Sequence, residues 1–326
     1  MAILVGIDEA GYGPLLGPLL VSSVALEIPD ELLRNDLWKL LSSAVAPTKK
    51  NLAGRLLITD SKKAYTRSTG IGHLQRSVLA SLLNLDRCKD LPASLSELLT
   101  VLNCPSIDRL RQYDWYNDYC DTPLLPDDSA LKIAANVLGF SLRKQNIRLL
   151  DISARCLDVQ YFNKMVTATN NKANVLFTAI CELITHCCKI TYAPNAPRTI
   201  QFIIDRQGGR CNYTPSLRKM FPSLDLRVIR QDNAVSSYEL SNDRTTIRLH
   251  FAVKADLNHL PVALASMTAK FLRELMMNAV NAWFARHCAN LKPTAGYWQD
   301  GQRFINDLRT HFPHLTYDAD KLIRLR

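Results

Sequence analysis

Residues 6–18 read Gly-Ile-Asp-Glu-Ala-Gly-Tyr-Gly-Pro-Leu-Leu-Gly-Pro. An apolar run from Ile3 to Ile7 ends there in two adjacent carboxylates, Asp8 and Glu9, and then in glycines. Ile3, Leu4, Val5 and Ile7 predict a short buried strand, at whose end neighbouring side chains point to opposite faces unless the chain turns. Gly11, Gly13 and Gly17 supply that turn, because a residue without Cβ lets the backbone approach a ligand closely and present its N–H groups. Pro14 and Pro18 restrict the path. Paired carboxylates and such a turn suit a metal held against phosphate. The same residues also suit an acidic turn between two hairpin strands, and the stretch alone leaves both readings open.

Outward from this point, Val21 to Ile28 continues the apolar pattern and predicts a hairpin bent around Asp8 and Glu9. Leu56-Leu57-Ile58 predicts a third strand running into Asp60, and spacing near 3.6 predicts a helix after Gly70 through Leu74, Val78, Leu79 and Leu82. Residues 84–145 hold Pro, Asp, Tyr113, Trp115, Tyr116 and Tyr119, then a helical segment from Ser129 to Lys144. They predict a mostly helical inserted subdomain whose aromatics form its own core rather than stack on bases. A strand from Arg148 to Ile152, one long helix from Val159 to Cys188, a strand from Ile200 to Asp205 and a helix from Thr214 to Met220 follow. Extended segments over 224–253, with a turn at Ser241-Asn242-Asp243, predict a projecting hairpin extension; residues 262–326 predict a C-terminal helical region. The fold class expected is α/β, a central mixed sheet flanked by helices. No internal repeat is visible.

The chain has 326 residues, of which 47% are hydrophobic and 12 are Gly, enough to bury a sizeable core. A formal charge of +10 favours a polyanionic partner, and Arg206, Arg210, Arg218, Lys219, Arg227 and Arg230 crowd around Asp205 in sequence. At least half of these are expected on solvated faces. Nine scattered cysteines with no Cys-x-x-Cys pair argue against a disulfide framework or a structural zinc site. His186-Cys187-Cys188 ends an apolar helical run and is expected to pack in the core. No apolar run reaches the roughly 18 residues of a membrane span, and Met1 leads straight into the first strand. A cytoplasmic monomer is the expectation.

Residues 6–18 resemble the signature of type 2 ribonucleases H, the ribonuclease HII family, in which a Gly-x-Asp-Glu-Ala-Gly-Arg-Gly-Pro run opens the protein. Four later elements match in order: Asp60-Ser61-Lys62-Lys63; a strand ending in Asp205; Asp256 followed without a gap by Ala265-Ser266-Met267-Thr268-Ala269-Lys270; and Gly296-Tyr297. The resemblance implies a ribonuclease H-like fold over residues 1–326, with 84–145 and 224–253 as additions. It also implies a metal-dependent endonuclease that hydrolyses the RNA strand of RNA–DNA duplexes, including single ribonucleotides embedded in duplex DNA. Asp8, Glu9, Asp205 and Asp256 would be the catalytic residues and the ligands of Mg²⁺ or Mn²⁺, since four carboxylates in one site are costly without cations. Two ions about 4 Å apart clamp both the attacking and the leaving oxygen of an in-line displacement. Gly11, Tyr12, Gly13, Ser61, Lys62, Lys63, Lys270 and Tyr297 inherit the substrate-binding places.

The sequence departs from the family in several places. Tyr12 stands where arginine is expected, Arg206-Gln207 replaces the common Gly-Asn, and Trp298 follows Tyr297. Asp232 competes for the place of Asp256, and Glu274 falls where the family often has Asp. These departures leave two further readings: a nuclease of the same fold with another nucleic-acid substrate, or a non-catalytic nucleic-acid-binding protein.

Overall fold

The computed structural model describes residues 1–66, 68–124, 129–191, 199–243 and 245–325. The strands are β1 (Ala2–Ala10), β2 (Leu19–Ile28), β3 (Val45–Ala46), β4 (Leu56–Leu57), β5 (Arg148–Leu157), β6 (Thr199–Asp205), β7 (Asp225–Gln231), β8 (Val235–Asn242) and β9 (Thr245–Ala252). Seven of them form one mixed sheet in the order β5-β2-β1-β6-β9-β8-β7, while β3 and β4 pair separately. β1 runs antiparallel to β2 but parallel to β6, with Ile7 opposite Ile204; β6 in turn runs parallel to β9, with Asp205 opposite Ala252. Three adjacent strands therefore end at the same edge.

Both faces of β1 are covered, which explains its nearly unbroken apolar run. Ile3, Val5 and Ile7 join Phe202, Ile204, Leu249 and Phe251 in a core on one face, roofed by the helix Lys172–Ile190. Leu4 faces the other way, toward the helix Leu260–His287. Gly6 shares that second face, and a Cβ on it would lie 2.3 Å from the carbonyl carbon of Pro261 and the nitrogen of Val262. Only glycine lets the helix start this close to the strand.

The helix Leu260–His287 is buried almost all round because a second layer covers its far side. Trp115 packs on Trp283 and Phe284, at ring separations of 6.0 and 5.9 Å. Tyr113, Trp115 and Tyr116 are buried, as expected, but not in a core of their own: they share one cluster with the sheet and this helix. The helix Ser129–Lys144 falls where the apolar spacing placed it.

Two expectations change. The helix expected over 159–188 is two, Val159–Thr169 and Lys172–Ile190. Asn170 adopts φ 48°, a left-handed conformation that asparagine tolerates, and the Asn171 side chain accepts from the Ala173 N–H at 2.9 Å to start the next helix. Residues 224–253 do not stand clear as a hairpin. Their three strands widen the central sheet, because Ile247, Leu249 and Phe251 alternate into the core and β9 docks beside β6.

The helix Lys172–Ile190 is long and apolar enough by length and composition to cross a membrane, and half of that stretch is buried inside this fold. Cys187 is buried, and His186 turns to Asp151 and Ser153, with Nε2 at 3.3 and 3.1 Å from their side-chain oxygens.

Candidate active site

Parallel strands that end side by side present a common crevice at their carboxyl ends. β1 carries Asp8 and Glu9 there, and the register that pairs Ile7 with Ile204 puts Asp8 beside Asp205, the last residue of β6. After β9 the chain turns through Lys254, at φ 54°, and places Asp256 in the first turn of the one-turn helix Ala255–Asn258. The Ala255 N–H donates to Asp205 Oδ1 at 2.8 Å, fixing that turn to the neighbouring strand. From a fourth direction, Asp60 caps the one-turn helix Ser61–Ala64 by accepting from the Lys62 N–H at 2.8 Å. Ser61 Oγ lies 3.0 Å from Ser266 Oγ on the long helix. Asp8, Glu9, Asp60, Ser61, Lys62, Asp205, Asp256 and Ser266 thus line one cleft of about 370 Å³.

The electrostatics follow from this crowding. Burial, then the charges of Glu9 and Asp205, push the Asp8 carboxyl well above the usual range. Burial and Asp205 push Glu9 up to about 7. Asp205 rises to about 6 through burial and Asp256, and Asp256 rises through burial and Asp60. Lys62, which lines the same cleft, opposes the shift at Glu9, Asp205 and Asp256. Lys62, Arg206 and Lys254 stand against five carboxylates in the lining, which leaves an excess of acids over cations. Hard oxygen donors in that state suit Mg²⁺ or Mn²⁺. Among the described residues no three acidic, His or Cys side chains are arranged to close around one ion, so water and substrate oxygens would complete its shell.

The remaining residues named from sequence scatter around this cleft. Lys63 is exposed beside Lys62 but does not line it. Lys270 pairs with Glu274 one helical turn on, at 2.5 Å, and sits 4.8 Å over the Tyr65 ring, so each neutralises the other away from the cleft. Asp232 is engaged elsewhere. Its carboxylate accepts from the Ala234 and Val235 N–H groups at 2.8 and 2.9 Å and closes the turn between β7 and β8, which together with Arg230 holds it down at about 2.

In the glycine turn, Gly11 has φ 91°, and a Cβ there would lie 2.6 Å from Pro18 O and 2.7 Å from Arg273 Nε. Gly13 differs: a Cβ there meets nothing. Tyr12 is half-buried in a neighbouring cleft, where burial and then the Glu9 charge raise its hydroxyl. Tyr297 is half exposed, its ring 5.5 Å from the Arg273 guanidinium.

The cations read as crowding Asp205 divide. Arg206 is buried in the lining of the cleft, and its guanidinium is engaged, donating to the carbonyls of Asn233 and Asp232 at 2.7 and 2.8 Å and to Ser236 Oγ at 3.1 Å. Arg210 lies over the rings of Phe177 and Tyr213, and Arg218, Lys219, Arg227 and Arg230 are exposed. Sequence reasoning did not assign Asp60, Lys254 or Ser266 to the cleft they line. Asp60 and Ser266 stood inside matched motifs, and for Ser266 the available signal was a hydroxyl in the otherwise apolar stretch Leu264-Ala265-Ser266-Met267.

No protein-family model matches this sequence. Ribonuclease HII of Methanocaldococcus jannaschii is 25% identical over 221 residues, which cover 62% of this chain and 85% of that protein. Among solved structures, Bst-RNase HIII in complex with Mn²⁺ superposes with a TM-score of 0.46 at 14% identity, over 99% of this chain and 66% of that one. The chain thus spans about two thirds of that ribonuclease HIII. RNase HII of Archaeoglobus fulgidus, in its complex with PCNA, superposes with a TM-score of 0.46 at 14% identity, over 99% and 94% of the two chains. By this sequence match the chain is similar to ribonuclease HII, in keeping with the motifs read from its sequence.

Proposed function

We propose that the protein is a metal-dependent endonuclease that hydrolyses the RNA strand of RNA–DNA duplexes, including single ribonucleotides embedded in DNA. One observation carries this reading. Asp8, Glu9, Asp205 and Asp256, from segments far apart in sequence, line a single cleft at the carboxyl ends of β1, β6 and β9. A protein that only binds nucleic acid gains nothing from buried acids that repel phosphate, whereas a phosphodiesterase needs them.

The four carboxylates would hold Mg²⁺ or Mn²⁺, which when bound polarises the phosphate and lowers the pKa of water. Lys62, in the same lining, opposes the shift at three of them and would offer an ammonium to the phosphate. Ser61 and Ser266 fix the short helix that carries Lys62 against the long helix. The Gly11-Tyr12-Gly13 turn follows β1 directly, and its backbone would read a ribose 2′-hydroxyl, the group that separates RNA from DNA. Lys63, Lys270 and Tyr297 stand farther out, and Lys270 is already paired with Glu274. A nuclease with a different nucleic-acid substrate is the second reading, favoured by Tyr12, which leaves the turn without a cation of its own.

The test is cleavage of labelled duplexes carrying one ribonucleotide, a run of ribonucleotides or none, with Mg²⁺ or Mn²⁺. Cutting of the first two alone is the expected result. Cutting of the all-DNA duplex supports the second reading, and binding without cutting of any duplex removes both.

A further inference from the structure

A second cleft, of about 280 Å³, opens on the other side of the glycine turn between Tyr12, Phe162, Lys172, Trp298 and Arg324. Arg324 closes its back wall. The residue is 4% exposed, and its backbone is tied in: its N–H donates to Leu15 O at 2.9 Å, and Asn163 Nδ2 donates to Ile323 O at 2.9 Å. The guanidinium donates to the carbonyl oxygens of Gly11 and Tyr12 and lies 4.0 Å over the Phe162 ring. Its Nε is buried without a hydrogen-bond partner, and among the described residues no carboxylate pairs with it.

Taking a charge out of water without a counter-charge is costly, and here a second cation makes it worse. Burial and the Arg273 guanidinium push Arg324 down to about 9. At the mouth of the cleft Lys172 Nζ sits 5.2 Å over the Tyr12 ring. Two exposed aromatics, Tyr297 and Trp298, stand at 51% and 42% exposure nearby. A cleft with a buried, acid-free guanidinium behind it, an ammonium at its mouth and aromatic walls fits an anion carried on a chain with flat rings.

We propose that Arg324 and Lys172 bind a backbone phosphate of the nucleic acid in the cleft beside Tyr12, next to the carboxylate cleft on the far side of the glycine turn. The inference rests on the proposed function, because it needs a nucleic-acid strand lying across the turn. Lys172 touches the phosphate from the mouth, and Arg324 neutralises it from behind while holding the turn. The charge that the turn itself lacks at Tyr12 is thereby supplied from residue 324. Trp298, at the start of the helix Trp298–His311, is placed to stack on a base flanking that phosphate.

The test is the affinity of a labelled RNA–DNA duplex, measured with Ca²⁺ or chelator in place of a catalytic metal, as a function of salt. Each lost phosphate contact lowers the slope of log affinity against log salt by about 0.9. Lys172→Ala and Arg324→Gln are each expected to flatten the slope by about that amount and to weaken binding about tenfold at physiological salt, with Arg324→Lys recovering the slope. Arg324→Gln also loosens the turn, so Lys172→Ala, which leaves the turn's hydrogen bonds in place, carries the decision. An unchanged slope in Lys172→Ala overturns the proposal, as does an Arg324→Lys variant that behaves like Arg324→Gln. Those results leave the proposed function standing. Unsubstituted protein that binds no duplex at all overturns both.

Discussion

Gly6 and Pro261 meet with no space between strand and helix: a methyl group on Gly6 would sit 2.3 Å from the Pro261 carbonyl carbon. The neighbour is backbone, which cannot rotate away as a side chain does. Gly6→Ala therefore has to push the helix Leu260–His287 off β1. The expected cost is about 1–3 kcal/mol, that of overpacking a filled core. It would be read from the urea midpoint, with cleavage falling alongside because Asp8 lies two residues on. An unshifted midpoint would show that the helix start is free to move.

Asp8 and Asp205 end adjacent parallel strands and face the same cleft. Asp8→Asn and Asp205→Asn are expected to lower cleavage by more than about a hundredfold, since losing even the partners that orient metal ligands costs about 10–100-fold. Duplex affinity measured in Ca²⁺ should persist. Equal turnover in either variant removes that residue from the chemistry.

Asp256 and Asp232 are separated by their surroundings. Asp256 lines the cleft; Asp232 caps the turn between β7 and β8. Asp256→Asn should lose cleavage while melting normally. Asp232→Ala should keep its turnover and melt slightly lower, since the turn between β7 and β8 loses its side-chain cap. The reverse pattern would hand the place to Asp232.

Glu9 and Asp205 have folded pKa values raised to about 7 and about 6. A carboxyl with a raised folded pKa stabilises the fold below its ordinary pKa, and that contribution is lost as pH rises through the folded value. In chelator, the melting temperature is expected to fall as pH goes from about 5 to about 8, and Asp205→Asn should flatten the fall. Mn²⁺ should raise the melting temperature more at the upper end of that range, where protons no longer compete for the oxygens. A chelated protein that gains stability over the same interval would mean the acids are not crowded.

Much of the site was legible because its chemistry sits in local motifs. Asp8-Glu9 at the end of an apolar run, Asp205 at the end of another and the ungapped stretch from Asp256 to Lys270 each declared a position in the chain. Pairing was not legible. Alternation in Ile247, Leu249 and Phe251 identified a strand, but nothing within residues 224–253 said that β9 would dock parallel to β6 rather than fold back as a free hairpin, since that choice is made by Phe202 and Ile204 across the sheet. The break at Asn170-Asn171 was readable in principle from two consecutive asparagines, yet the apolar spacing on either side masked it. Arg324 lay beyond reach altogether: its place under the turn is set only when Ile323 pairs with Leu16 across the chain.

The common edge shared by β1, β6 and β9 has a consequence for how the protein comes together. The carboxylates of the cleft belong to strands whose neighbours, such as Ile7 and Ile204, are joined only by closing very long loops, a slow event. No early hairpin or half-synthesised chain owns the complete set. On the proposed reading divalent ions would therefore not nucleate folding; they would reward the finished sheet alone, by mass action on the native state.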